Sequence, residues 1–116
     1  MASSKEYLQF ILEQLSGLEE INYRAMMGEY IIYYRGRIAG GIYDDRLLVK
    51  PTKSAVSYMT TAIYELPYER AKEMLLVENV DSREYLAGLF NAMYDELPVH
   101  KANNKKKFLN NLYTFQ

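Results

Sequence analysis

The sequence predicts an α+β fold in which a small antiparallel β-sheet, a three-stranded meander plus one or two further strands, packs against flanking helices. Three observations carry this. Between Glu29 and Lys50 three apolar-aromatic runs are separated by Arg35-Gly36 and Asp44-Asp45, pairs suited to two-residue hairpin turns. On either side of that block, apolar residues recur at helical spacing. The chain has 116 residues, 49% apolar and 25% charged, which suits one globular core and is too short for two. Residues 1–98 are read as the domain and residues 99–116 as a basic C-terminal tail.

Leu8, Ile11, Leu12, Leu15 and Leu18 share one face of a first helix. Ser3 and Glu6 stand as a capping box at its start, and Gly17 supplies a left-handed stop. Ile21 to Met27 then forms a short strand or strand entry leading into Gly28. In the meander, two-residue loops place Tyr34 opposite Arg37, Tyr33 opposite Ile38 and Ile31 opposite Gly40. Across the second turn Tyr43 faces Arg46 and Ile42 faces Leu47.

Alternation then sorts the meander into two faces. Ile31, Tyr33, Ile38, Gly40, Ile42, Leu47 and Val49 are expected in the core. Tyr30, Ile32, Tyr34, Arg37, Ala39, Gly41, Tyr43, Arg46, Leu48 and Lys50 are expected on the other face. A slip of one residue in either hairpin would set Arg37 or Arg46 among the aliphatics, at the cost of burying a charge. Gly40 and Gly41 stand mid-strand, where a helix pressing close would explain them. The alternative is a bulge, which would shift the register on one side and undo the sorting.

Pro51 ends the third strand. Thr52 to Tyr64 reads as a short helix opening near Thr52 or Ser54, with Val56, Met59 and Ile63 on one side, and Pro67 closes it. Met74 to Val77 is short enough to be one more strand. Asp81 with Glu84 signals a second cap, after which Leu86, Leu89, Phe90, Met93 and Leu97 form a helical face up to Pro98. Phe108, Leu109, Leu112, Tyr113 and Phe115 in the tail suit a short amphipathic helix capped near Asn103 or Asn104, which needs a surface to dock on.

Charge and composition narrow the chemistry. All 15 acids precede residue 101, giving a body of about −5, whereas Lys101, Lys105, Lys106 and Lys107 give the tail +4. An acidic body lacks the basic footprint of a nucleic-acid binder, so phosphate contact is expected from the tail alone. There is no cysteine, which excludes disulfides, thiolate metal sites and cysteine nucleophiles. The start lacks the basic-then-apolar order of a secretory signal and no run is long enough to span a membrane, so a cytoplasmic protein without membrane contact is expected.

No catalytic, cofactor or metal residues are assigned. The single histidine, His100, lies near Pro98 at a helix end, so a Ser-His or Cys-His nucleophile pair would have to be built from a tail residue. The adjacent acids Glu19-Glu20, Asp44-Asp45 and Asp95-Glu96 point apart or sit in turns, where Asp serves local hydrogen bonds. Gly36, Gly40 and Gly41 lie in a hairpin and not between a strand and a helix, so no phosphate loop is formed. The 12 tyrosines are more informative. Tyr34 and Tyr43 with Arg37, Arg46 and Lys50 suit a half-buried strand surface, a protein interface, or stacking of single-stranded nucleic acid.

The stretch RAMMGEYIIYYRGRIAGGIYDDRLLVKPT, Arg24 to Thr52, resembles the signature of the TfoX/Sxy amino-terminal domain family. Leu66 to Pro98 is similar to the strand-then-helix close of the same family. The matching marks are Met27-Gly28-Glu29-Tyr30, Tyr34-Arg35-Gly36-Arg37, Asp44-Asp45-Arg46-Leu47, Lys50-Pro51 and Ala71-Lys72. The resemblance implies an α+β domain with a small antiparallel sheet, and kinship with bacterial regulators of competence for DNA uptake that act as coactivators of a cyclic-AMP receptor protein. It implies no catalytic residues. The expectation is therefore a non-enzymatic regulatory module that contacts a protein partner such as a transcription factor, or a second copy of itself. Direct nucleic-acid binding through the tyrosine-arginine face and the lysine tail is the alternative, and a small-molecule-binding protein or enzyme is the second alternative.

Overall fold

The computed structural model describes residues 2–99, so His100, Lys101, Lys105, Lys106, Lys107 and the expected tail helix lie outside the described residues. The elements run α1 (Lys5–Gln14), β1 (Ile21–Met26), β2 (Glu29–Tyr34), β3 (Arg37–Ile42), β4 (Leu47–Val49), α2 (Lys53–Tyr58), β5 (Tyr64–Glu65), β6 (Met74–Leu76) and α3 (Arg83–Met93), followed by a 3-10 turn at Tyr94–Glu96. The strands form one antiparallel sheet in the order β1-β2-β3-β4-β6-β5. This is the α+β architecture expected from the sequence.

Three successive hairpins build the first four strands, and each turns on two residues with positive φ. These are Met27 (53°) and Gly28 (86°), Arg35 (51°) and Gly36 (84°), and Asp44 (53°) and Asp45 (54°). Two left-handed residues in a row match the right-handed twist of the flanking strands, which is why such turns dominate tight hairpins. The turn at Met27-Gly28 makes Ile21–Met26 a full strand rather than an entry, with Met26 paired to Glu29 and Ile21 to Tyr34.

The expected pairings hold beside the turns: Tyr34 with Arg37, Tyr33 with Ile38, and Ile42 with Leu47. Between them the register shifts, so Gly40 faces Ile32 and Gly41 faces Ile31. Ala39 is the extra residue of a β-bulge, and everything on the β2 side of it changes face. Ile32, Tyr34 and Ala39 therefore lie in the core with Ile42, Leu47 and Val49, while Ile31, Tyr33 and Ile38 are only partly buried. The expected sorting is right from Ile42 onward and inverted before the bulge.

Gly40 and Gly41 follow the bulge directly, and the atoms nearest to them belong to the sheet rather than to a helix. A Cβ at Gly40 would stand 2.1 Å from the Leu48 carbonyl oxygen, and one at Gly41 would stand 2.6 Å from the Tyr30 carbonyl oxygen and 2.7 Å from the Tyr43 ring. Neighbouring strands, rather than a helix, exclude side chains there.

The helices cover one face of the sheet. Leu8, Ile11 and Leu15 of the first helical segment, Ala55 and Met59 at α2, and Leu86, Leu89, Phe90 and Met93 of α3 pack on that face. Each such fully buried Leu, Ile or Phe contributes roughly 1.5–3 kcal/mol of burial. Cap positions differ by one residue from expectation: Ser4 caps α1 by accepting the Tyr7 N–H, and Ser82 caps α3 by accepting the Tyr85 N–H. Gly17 is not left-handed; α1 stops at Leu15 (φ −92°), and the left-handed residue of the connection is Glu20 (φ 56°), directly before β1. The helix expected over Thr52 to Tyr64 ends at Tyr58, because Met59 is already extended and Tyr64–Glu65 pairs with β6. The β-branched Thr60, Thr61 and Ile63 disfavour continuing the helix.

Candidate binding groove

The bulge decides what the helix-free face presents. Tyr43, Leu48 and Met74, with Leu76 against them, form a second small apolar cluster there. Beside it the loop between β5 and β6 folds back over the sheet through a turn in which the Ala71 N–H donates to the Tyr68 carbonyl, with Arg70 left-handed at φ 72°. Between this loop and the strands lies a groove of about 440 Å³. Its strand side carries Ile31 and Ile38, its loop side Pro67, Tyr68 and Ala71, and Lys50, Lys72 and Glu73 are its charged members.

Tyr43 and Tyr68 also line an adjoining recess of about 620 Å³ that reaches Met26, Met27 and Glu29 at the first hairpin tip. Their rings lie 6.2 Å apart between centroids, so the two concavities share one aromatic wall. Met27 is 96% exposed at the far end. Burial, with Tyr68 and Glu29 nearby, pushes the Tyr43 phenol above its ordinary value of 10.0. At neutral pH it is an uncharged hydroxyl.

The five residues expected to form one interaction face do not share a face. Tyr34 is 4% exposed in the core, its hydroxyl donating to Asn91 Oδ1 and its ring meeting Phe90 and Tyr94 edge-on. Arg37 lies on the same side: its Nη1 donates to the Tyr94 carbonyl at 3.0 Å and its guanidinium stands 4.4 Å over the Tyr94 ring. A cation on the last carbonyls of a helical segment also complements their partial negative charge. Tyr43, Arg46 and Lys50 are on the helix-free side. Arg46 is occupied, pairing with Glu65 at 2.6 Å and donating to the Tyr43 and Leu66 carbonyls. Of the original five, Tyr43 and Lys50 line the groove.

Ile31, Ile38, Tyr68 and Lys72 also line the groove, and the sequence did not mark them as site residues. Ile31 and Ile38 were expected in the core, and only the bulge turns them outward. Tyr68 and Lys72 lie in a segment with no periodic signal.

A polar network fixes the end of the sheet next to the recess. Ser3 Oγ donates to Glu29 Oε1 at 2.6 Å and accepts the Asp45 N–H at 3.0 Å, while the Ser3 N–H donates to the Gly28 carbonyl at 3.0 Å. The Ser4 N–H donates to Asp45 Oδ1 at 2.8 Å, and the Asp44 N–H donates to Glu29 Oε1 at 3.2 Å. The start of α1 thus ties together the first and third hairpin turns. Asp44 and Asp45 form the turn at positive φ, and the Asp45 carboxylate accepts from Ser4 at the start of α1 rather than from the turn's own backbone. Among the described residues, no group of three or more His, Cys, Asp or Glu is placed to hold a metal ion, and no helix is long and apolar enough to cross a membrane.

The family model described as TfoX N-terminal domain matches residues 13–89. A protein of Spirochaeta aurantia, described as an uncharacterized 12.7 kDa protein in the trpE 5′ region, is 28% identical over 80 residues, which is 69% of this chain and 70% of that protein. No solved structure matches.

Proposed function

Because the chain belongs to the TfoX N-terminal domain family, we propose that it is a non-enzymatic regulatory module that acts in transcription by protein contact, and that the groove on the helix-free sheet face is its contact surface. One observation carries this reading: the bulge at Ala39 turns Ile31 and Ile38 out of the core into a groove walled by Tyr43 and Tyr68 and flanked by Lys50 and Lys72. Aliphatic and aromatic side chains in a concavity with cations beside them suit an apolar segment carrying acidic residues. A partner of that kind is a protein, since nucleic acid would bring phosphates to a body with an excess of acids.

The test is affinity capture from the native cell extract with wild type, Ile38→Glu, Lys50→Glu and Arg83→Glu, the captured proteins being identified by mass spectrometry. Arg83 lies on α3, on the helix-covered side, with its side chain 57% exposed, and serves as the control. The groove variants should lose a protein that wild type and the control retain. Equal capture by all four removes the groove from consideration. A parallel titration with single-stranded oligonucleotide addresses the lysine tail: binding that falls steeply with salt would favour the nucleic-acid reading instead.

A further inference from the structure

The sheet has two ends, and they are not alike. At one end stands β5, only two residues long, whereas at the other stands β1, six residues long. Among the described residues no strand pairs with the outer side of β1. Edges of that length are ordinarily shielded by proline, a bulge or several charges. β1 has no proline, its pairing with β2 is unbroken, and its one charged residue is Arg24.

Antiparallel alternation decides which backbone groups that edge offers. Met26 and Glu29 close a two-residue hairpin and are a hydrogen-bonded pair, so Arg24 with Ile31 and Asn22 with Tyr33 are bonded too. The Arg35 N–H donating to the Glu20 carbonyl at 3.0 Å keeps the same phase. Ile21, Tyr23 and Ala25 therefore aim their N–H and C=O groups away from β2. Their side chains share the face of their cross-strand neighbours Tyr34, Ile32 and Tyr30, and Tyr23 is 47% exposed.

Three outward residues spaced two apart can pair with their own copies about a two-fold axis. An axis at Tyr23 uses all three, setting Ile21 opposite Ala25 of the second copy, Tyr23 opposite Tyr23, and Arg24 opposite Asn22. An axis at Asn22 or Arg24 leaves one outward residue of each copy without a partner, and the latter places two guanidiniums face to face, which is unfavourable. We infer that two copies of this chain join β1 to β1 in antiparallel fashion about Tyr23, merging their sheets into one and leaving both grooves open.

Full-length protein tests this by sedimentation equilibrium and by cross-linking. Ala25→Pro removes an outward N–H and leaves the β1–β2 ladder alone. It should keep the wild-type circular dichroism spectrum and weaken the dimer by at least about tenfold, since each two-fold contact loses a pair of hydrogen bonds. Arg24→Pro removes an N–H that β2 uses, and should instead lower the melting temperature. Because the chain has no cysteine, Tyr23→Cys reports the register directly. Its two Cα atoms would lie about 5.5 Å apart, within disulfide reach, so mild oxidation should give a covalent dimer, whereas Asn22→Cys, which faces Arg24, should give far less. Wild type that sediments as one chain up to its solubility limit, a folded Ala25→Pro that dimerises as wild type does, or equal cross-linking at positions 22 and 23 would each overturn the inference.

Discussion

Replacing Gly40 by alanine tests the close approach of β3 and β4 beside the bulge. The added methyl would stand 2.1 Å from the Leu48 carbonyl oxygen and 2.7 Å from the Val49 Cα, both of them backbone atoms of β4. A carbon normally stops about 3.3 Å from a carbonyl oxygen, so the strands must part by roughly 1 Å. An N–H···O bond near 2.9 Å does not survive that displacement. The short β3–β4 ladder, which pairs Gly40 with Val49, Gly41 with Leu48 and Ile42 with Leu47, then loses two or more bonds. At about 1 kcal/mol for each bond, with about 1–3 kcal/mol of overpacking, the loss is about 3–5 kcal/mol. That is about a fifth or more of the roughly 5–15 kcal/mol that holds a typical domain together. Urea unfolding followed by circular dichroism should show the midpoint falling by about 2 M or more for a slope near 1.5 kcal/mol per M. Gly17→Ala is the control, since a Cβ there meets nothing within 4 Å. It should change stability by less than about 1 kcal/mol. A Gly40→Ala protein as stable as the Gly17→Ala control would show that β3 and β4 do not approach as described.

Ser3→Ala should cost about 1–3 kcal/mol in the same unfolding assay, because the hydroxyl both donates to the Glu29 carboxylate and accepts the Asp45 N–H. Tyr34→Phe should cost about 0.5–1.5 kcal/mol by removing the hydrogen bond to Asn91 while preserving the ring contacts with Phe90 and Tyr94. The side-chain and backbone hydrogen bonds from Ser54 hold the Glu96 carboxyl below its usual 4.5. That stabilisation is complete above this value and is lost as pH falls through the lowered one. Glu96→Gln should therefore fall short of wild type at pH 6, with the gap closing on acidification below 4.5 in urea midpoints measured across that range.

The hairpins were legible because each turn is a local event. Arg35-Gly36 and Asp44-Asp45 combine residue types that tolerate positive φ, and the pairs they set, Tyr34 with Arg37 and Ile42 with Leu47, depend on nothing farther away. The faces of the first and last helices were legible for a similar reason, since a 3.6-residue period is written along the chain itself. Leu8 and Ile11, and likewise Leu86, Leu89, Phe90 and Met93, are buried as their spacing requires. The two-residue strand β5 left no such signature, because Tyr64 and Glu65 are strand only by pairing with Leu75 and Met74.

From residue order alone came the α+β class, the turns and the pairs adjoining them, the apolar stripes of the helices and the family. The relative phase of the two hairpins belonged to the folded molecule. A strand alternates with a period of two, so one extra residue at Ala39 reverses every side chain on one side of it, and whether that residue bulges is settled by what the sheet packs against. Tyr34 and Arg37 reach the end of α3 only in the bulged form, and only then do Ile31 and Ile38 come to line a groove.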